Sequence, residues 1–447
     1  MSQTIHIYHT NDLHSHFGDW PSIHAFLKEH KRWHEDAGDI CLVLDIGDHV
    51  DRSHPYTEGT AGKGNIELLN NAGYDAVTIG NNEGITLSKE ELNELYTQAD
   101  FEVIVANLFD EDGQRPHWAI PFHLIEAANG LKIGLVAATA EFTPFYDRLG
   151  WQVTGGKEAI YEAVEEIKET ADLIICLSHL GIHEDELLAE NCPELDIILG
   201  AHTHHIFHEG KMIGNTLLGA AGKFGFYLGH VTVELPSKEK KAYLIETAEL
   251  QNPDEGFNGR LFEKGKSQLE QAIFYNDKEL KAEWFKDSEL ADLFGQALME
   301  FSEADCALFN AGIFVKGLPE GKATRYDFHQ MLPHPINPCL IELTGAELKE
   351  IYVQSQNSDW PQLELKGLGF RGVVFGKMIH VDMSLEGHQF YIGGQKAVHD
   401  KIYRLITLDM FTFGYFFPVL KRAPKTYFMP EFLRDVFSSF LSAKTVK

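Results

Sequence analysis

Seven short apolar runs punctuate the first half of the chain: Ile5 to His9, Ile40 to Asp45, Ala76 to Ile79, Val103 to Ala106, Ile133 to Ala138, Leu173 to Leu177 and Ile197 to Leu199. Each has the length of a strand and is too short for a helix, and near-continuous apolar runs mark strands buried on both faces. Between them the apolar positions switch to helical spacing, over Ile23 to Trp33, Glu90 to Gln98 and Glu158 to Thr170. Alternating strand and helix patterns predict a layered α/β domain over residues 1–240. From 241 to 290 the pattern thins into polar sequence with Asn252-Pro-Asp-Glu-Gly256 and Asn258-Gly-Arg260, turn chemistry that predicts a linker with some helix after it. A helix pattern over Glu289 to Phe301 opens a Phe-rich remainder, 291–447, which mixes strand and helix signals and reads as a separate α+β domain. There is no repeat of fixed period.

Length agrees with two cores, because 447 residues exceed what one core usually supports. Charge narrows the partners. With 38 Lys+Arg against 67 Asp+Glu the formal charge is −29, so the long-range field repels nucleic acid and anionic membranes. A small anionic substrate is compatible with that charge where bound divalent cations reverse the field locally. The first ten residues lack the basic and apolar segments of a signal peptide, and no apolar run reaches about 18 residues, so a cytoplasmic protein without membrane contact is expected. Cys41, Cys176, Cys192, Cys306 and Cys339 are scattered with no CxxC spacing and read as reduced core residues.

Metal-type side chains follow the apolar runs with unusual regularity. Asp12-Leu-His14 comes after the first, Gly47-Asp48 after the second and Gly80-Asn-Asn-Glu83 after the third. Ser178-His179 comes after the sixth and Gly200-Ala-His202-Thr-His204 after the seventh. Ligands gather at the carboxyl ends of strands in open α/β sheets. Among these pieces, a lone Asp-x-His or Gly-Asp is more often a cap or a turn than a ligand, and His-x-His alone is an even bet. Five in the same position supply the oxygen and nitrogen donors that a two-metal site needs, including a carboxylate to bridge cations about 3.5–4 Å apart.

His9-Thr-Asn-Asp12-Leu-His14 and Gly200-Ala-His202-Thr-His204 resemble the opening and closing motifs of the calcineurin-like metallophosphoesterases, and within them of the 5′-nucleotidase family. Asn310-Ala-Gly312, Gly321-Lys-Ala-Thr324, Leu343-Thr-Gly345, Phe370 to Phe375 and Tyr403-Arg404 are similar to that family's C-terminal domain. The resemblance implies a four-layer metallophosphoesterase domain followed by an α+β 5′-nucleotidase-type domain. It also implies one cation held by Asp12, His14 and His204, a second by Asn81, His179 and His202, and Asp48 bridging them. Carboxylate with imidazole suits manganese, zinc, iron or cobalt.

The chain departs from the family where a catalytic His-Asp dyad is usual, since Asn82 and Ile85 occupy those positions. A divergent cytoplasmic member lacking the dyad is therefore expected, with Asn82 donating to a phosphoryl oxygen. His49, His54, His183 and His205 are candidates to replace the missing acid, His49 first. Phe370 matches one of the two rings that clasp a nucleobase in the family, and Met410 falls at the other, with Phe411, Phe413 and Tyr415 close by as substitutes. The expected activity is hydrolysis of a phosphoester or phosphoanhydride in a nucleotide-like metabolite by two divalent cations. The alternative is a metal-containing nucleotide-binding or regulatory protein with little turnover.

Overall fold

The structure is a computed structural model that describes residues 3–445. It divides into two compact units that meet between Gly265 and Lys266.

In the first unit, β1 (Gln3–Thr10) runs parallel to β2 (Ile40–Asp45), with Ile5 opposite Ile40. A six-stranded sheet grows around them in the order Glu239–Glu246, Tyr227–Leu235, β1, β2, Ala76–Val77, Glu102–Val103. The second sheet, also six-stranded, is ordered Lys211–Ile213, Thr216–Gly219, Ile197–Gly200, Leu173–His179, Lys132–Thr139, Phe122–Glu126. Strand periodicity sorts the side chains. Ile5, Ile7, Leu42 and Leu44 from the first sheet share a core with Leu135, Ile175, Leu177 and Ile197 from the second. The intervening Val136, Cys176 and Ile198 pack outward against Ile160, Val164 and Leu188 of the covering helices.

The outer face of the first sheet is covered by α1 (Trp20–Ala37), which starts with Pro21 in its first turn. It stops at Gly38, whose left-handed backbone returns its N–H to the carbonyls of His34 and Glu35. Helix, sheet, sheet and helix give the four layers expected.

The second unit is built on a five-stranded sheet ordered Met378–Val381, Cys306–Asn310, Ile402–Leu408, Pro338–Thr344, Lys425–Tyr427. Its phenylalanines explain its cohesion. Phe294 meets Phe309, Phe314 and Phe437 edge-to-face at 5.0, 5.3 and 5.5 Å between ring centroids, a favoured geometry for aromatic pairs.

The interval 241–290 carries regular elements. Most of Glu239–Glu246, an edge strand of the first sheet, lies in it, followed by the helix Phe257–Gln268 and the strand Ala272–Asn276. The five cysteines are free and buried. Among the described residues, no helix is long and apolar enough to cross a membrane.

Candidate metal centre

The ligand candidates stand where the parallel strands of the first unit end. Asp12 and His14 follow Thr10, Asp48 follows Asp45, and His179 is the last residue of its strand. His202 and His204 follow Gly200. Asp12, His14, Asp48, His202 and His204 all have left-handed backbone, with φ between 48° and 71°. That conformation is uncommon for residues with a Cβ, and its concentration here marks loops held in shape by their surroundings.

These turns bring the donors together. His14 Nε2 lies 3.3 Å from His204 Nε2. Asp12 Oδ1 lies 3.9 Å from His14 Nε2 and 3.5 Å from His204 Nε2. Asp48 Oδ2 reaches toward both sides of the site, 3.8 Å from His14 Nε2 and 3.5 Å from His179 Nε2. Two groups able to hold a metal result, Asp12–His14–His204 and Asp12–Asp48–His179, and Asp12 belongs to both. Asn81 Oδ1 and His202 Nδ1 lie 2.9 Å apart, and the His202 and His179 ring centroids are 5.4 Å apart.

His179 shows that the donor set suits a cation. Its Nδ1 sits 2.7 Å from the Ile46 carbonyl, which makes Nδ1–H the donor and leaves the lone pair on Nε2. That Nε2 is buried without a hydrogen-bond partner and faces the Asp48 carboxylate. Two buried electron-pair donors face each other, and a divalent cation satisfies both. A proton is the other solution. Burial opposes charge on His179, but the Asp48 carboxylate outweighs burial and raises its pKa to about 10. Against the same burial, His179 and His14 hold Asp48 below the usual carboxylate range. Burial, helped by repulsion from His179, lowers His202 to about 4 and keeps its imidazole neutral, the form that binds metal.

Buried polar groups fix the carboxylates. Glu83 accepts the backbone N–H groups of Asp48, Val50 and Gly80 at 2.9, 2.7 and 2.8 Å, clamping the Asp48 loop to the loop that carries Asn81. Asn11 donates to Asp12 Oδ2 at 2.8 Å and to the Gly222 carbonyl at 2.7 Å. Gly47 and Gly80 hold the space beside them. A Cβ on Gly80 would collide with the Asp48 carboxylate and the His179 ring, and Gly47 has φ 84° with Gly80 against it. Sequence reasoning missed Glu83 and Asn11 as supports. Their only signal was adjacency to the motifs.

Asn82 is placed among the ligands. Its N–H donates to Asp48 Oδ1 at 2.7 Å, while Nδ2 lies 2.9 Å from both His14 Nδ1 and the Val50 carbonyl. The amide is thus engaged with the protein on its nitrogen side. His49 is buried with Nδ1 3.2 Å from Asn65 Nδ2, and burial lowers its pKa to about 3. His54 accepts from the Tyr56 N–H as a helix cap, His205 contacts Thr203 Oγ1, and His183 is exposed.

In the second unit Phe370 and Met410 are both core residues, 3% and 0% exposed, and Phe370 stacks on His334 at 5.2 Å and 4°. Neither offers an open face to a base. The exposed aromatic side chains of the same segment are Phe413 and Tyr415, at 39% and 69%.

Comparison with known proteins agrees with this anatomy. A calcineurin-like phosphoesterase model matches residues 5–205, and a 5′-nucleotidase C-terminal domain model matches residues 265–412. The chain is 42% identical over 456 residues to a Bacillus subtilis (strain 168) protein named uncharacterized metallophosphoesterase YunD, with 98% of each chain covered. It is 23% identical over 405 residues to the trifunctional nucleotide phosphoesterase protein YfkN of the same organism, covering 78% of this chain and 27% of that one. In fold it resembles a putative 5′-nucleotidase from Staphylococcus aureus, solved with alpha-ketoglutarate, at a TM-score of 0.70 and 16% identity over 98% of this chain and 97% of that one. The Haemophilus influenzae NAD nucleotidase shares the fold at a TM-score of 0.65 and 13% identity, covering 99% and 96% of the two chains.

One expectation needs correction. The chain was expected to be a divergent cytoplasmic member marked out by a missing His-Asp dyad. The two metal-binding groups are instead intact His/Asp clusters rather than a degenerate centre, and the likeness stands at the level of the family.

Proposed function

The chain belongs to the calcineurin-like metallophosphoesterases and is a metal-dependent hydrolase, and from that premise we propose that it hydrolyses phosphoester or phosphoanhydride bonds of nucleotide-like metabolites with a pair of divalent cations. The carrying observation is Asp48 Oδ2, set between His14 Nε2 and His179 Nε2 at 3.8 and 3.5 Å, with Asp12 common to both clusters. In this reading Asp12, His14 and His204 hold one cation, Asn81, His179 and His202 the other, and Asp48 bridges. A bound pair supplies Lewis-acid charge at the phosphoryl group and a nucleophile at neutral pH.

The chain's own residues supply position. Glu83 and Asn11 fix the two carboxylates. Asn82 fixes His14 and Asp48 together, so its task in this reading is to hold ligands. Burial keeps the imidazole of His202 neutral, and the Ile46 carbonyl orients the ring of His179.

A nucleotide-like substrate is supported by the match to a 5′-nucleotidase C-terminal domain and by the nucleotide phosphoesterase and NAD nucleotidase named among the relatives. Tyr415, exposed beside the position expected to clasp a base, is the candidate ring for stacking in this reading.

The test is turnover of bis(p-nitrophenyl) phosphate and of a panel of nucleotides and dinucleotides. Chelation is expected to abolish activity and added Mn²⁺ to restore it, with members of the nucleotide panel turned over. Tight nucleotide binding without turnover under any metal would favour a binding or regulatory protein instead.

A further inference from the structure

Another group of imidazoles lies back along β1 from the metal centre. Strand register assembles it. His6 and Tyr8 are two apart on β1 and share a face. Tyr8 is directly opposite His230 on the neighbouring antiparallel strand, which makes His6 and His230 diagonal neighbours on that face. His6 Nδ1 lies 3.0 Å from His230 Nε2. The last turn of α1 lowers His34 onto the pair, its ring stacked on His6 at 3.6 Å between centroids. His34 Nε2 in turn lies 2.9 Å from the Tyr8 hydroxyl.

The three histidines each offer a nitrogen, all within 4.8 Å of one another. Two nitrogens on one tetrahedral zinc, each about 2.0–2.1 Å from it, are about 3.4 Å apart. The His6–His230 pair is near that spacing already, and His34 offers a nitrogen within 4.8 Å of both. Asp39, just beyond the end of α1, adds a carboxylate oxygen 3.8 Å from His6 Nε2. His34 is buried, whereas His6 and His230 are half-buried and give an entry path. Burial, reinforced by the neighbouring imidazoles, lowers His34 to about 4 and His230 to about 3, and burial also lowers His6. The rings are therefore neutral in ordinary conditions, the form that binds metal. Cys41 faces His6 from β2, and burial lifts its thiol to about 12, so it stays protonated.

We propose that His6, His34 and His230 form a separate binding site for one divalent cation of the zinc class, which ties α1 to the first sheet. Three imidazoles suit zinc, cobalt, nickel or copper and discriminate against magnesium and calcium. Asp39 or water completes the coordination.

The test uses the full chain, stripped with a chelator and titrated with Zn²⁺ or Co²⁺. The double variant Asp12→Asn with Asp48→Asn, which disables the catalytic clusters, is expected to retain one equivalent of metal and to show the visible bands of four-coordinate Co²⁺. Adding His230→Gln is expected to remove both. In the otherwise native chain, His6→Gln and His230→Gln should each lower Zn²⁺ stoichiometry by one and leave phosphoester turnover unchanged. Two results overturn the proposal, namely unchanged stoichiometry in both histidine variants, or no metal on the double variant when its circular dichroism is native. The rings would then be a hydrogen-bonded stack only. Should the double variant fail to fold, the two single histidine variants decide the question by themselves.

Discussion

A carboxylate that accepts three backbone N–H groups cannot become an amide without setting a donor against a donor. Glu83 is in that position, beneath Asp48, Val50 and Gly80. Glu83→Gln should therefore destabilise the chain by about 1–3 kcal/mol. It should also weaken Mn²⁺ binding about 10–100-fold, the usual cost of losing a support behind a metal ligand. Metal titration and thermal melting check both numbers, and native values in both would remove Glu83 from the site. Gly80→Ala should harm metal binding by a different route, through the clash of its new Cβ with Asp48 and His179. The contrast explains what was legible at this scale. Asp12, His14, Asp48, His179, His202 and His204 stood out as candidates because each closely follows an apolar run. Glu83 could not be given a role, because it acts on backbone N–H groups 35 and 33 residues away, and no local pattern records them.

Elements show the same division between local and distant causes. The buried parallel strands were visible as apolar runs, from β1 through Ile197–Gly200. The antiparallel edges were not, because edge strands carry charge and lose the alternation that reveals them. Glu239–Glu246 has Glu or Lys at its first three positions and buries only Ala242. In the second unit, the turn after Ile402–Leu408 is held by Asp409, whose carboxylate accepts from the Asn337 N–H at 2.9 Å while its own N–H donates to the Asn337 carbonyl at 3.0 Å. Burial raises the Asp409 pKa to about 7, against about 3.9 in an unfolded chain. Since the folded pKa is the higher, this group's contribution to stability is fully present below about pH 4 and is lost as pH rises through 7. Asp409→Asn keeps an acceptor and cannot ionise, so its melting temperature relative to the native chain should climb between pH 4 and pH 8. A constant difference across that range would show that Asp409 is not neutral in the fold. The buried place of Phe370 sets a second expectation. Phe370→Ala should cost about 3–5 kcal/mol in stability and reduce turnover of all substrates alike. Tyr415→Ala should raise KM for nucleotides while sparing small aryl phosphates, and equal effects on both would exclude it from base recognition.

At the scale of the molecule, two cores and an excess of acid frame the chemistry. The sequence suggests two cores joined by a turn-rich linker over 241–290, and in that interval the polar residues include an edge strand and the half-exposed helix Phe257–Gln268. With a formal charge of −29, the chain repels a phosphate substrate at long range, and the metal centre must reverse that sign locally. In the proposed reading that reversal comes from a pair of cations sharing Asp48. Metal content and turnover measured together on Asp48→Ala test this most directly, in a His230→Gln background so that the histidine cluster contributes nothing. The parent is expected to hold two equivalents of Mn²⁺ and to hydrolyse bis(p-nitrophenyl) phosphate, while Asp48→Ala holds fewer and falls to the background rate. Two equivalents and undiminished turnover in Asp48→Ala would contradict the account.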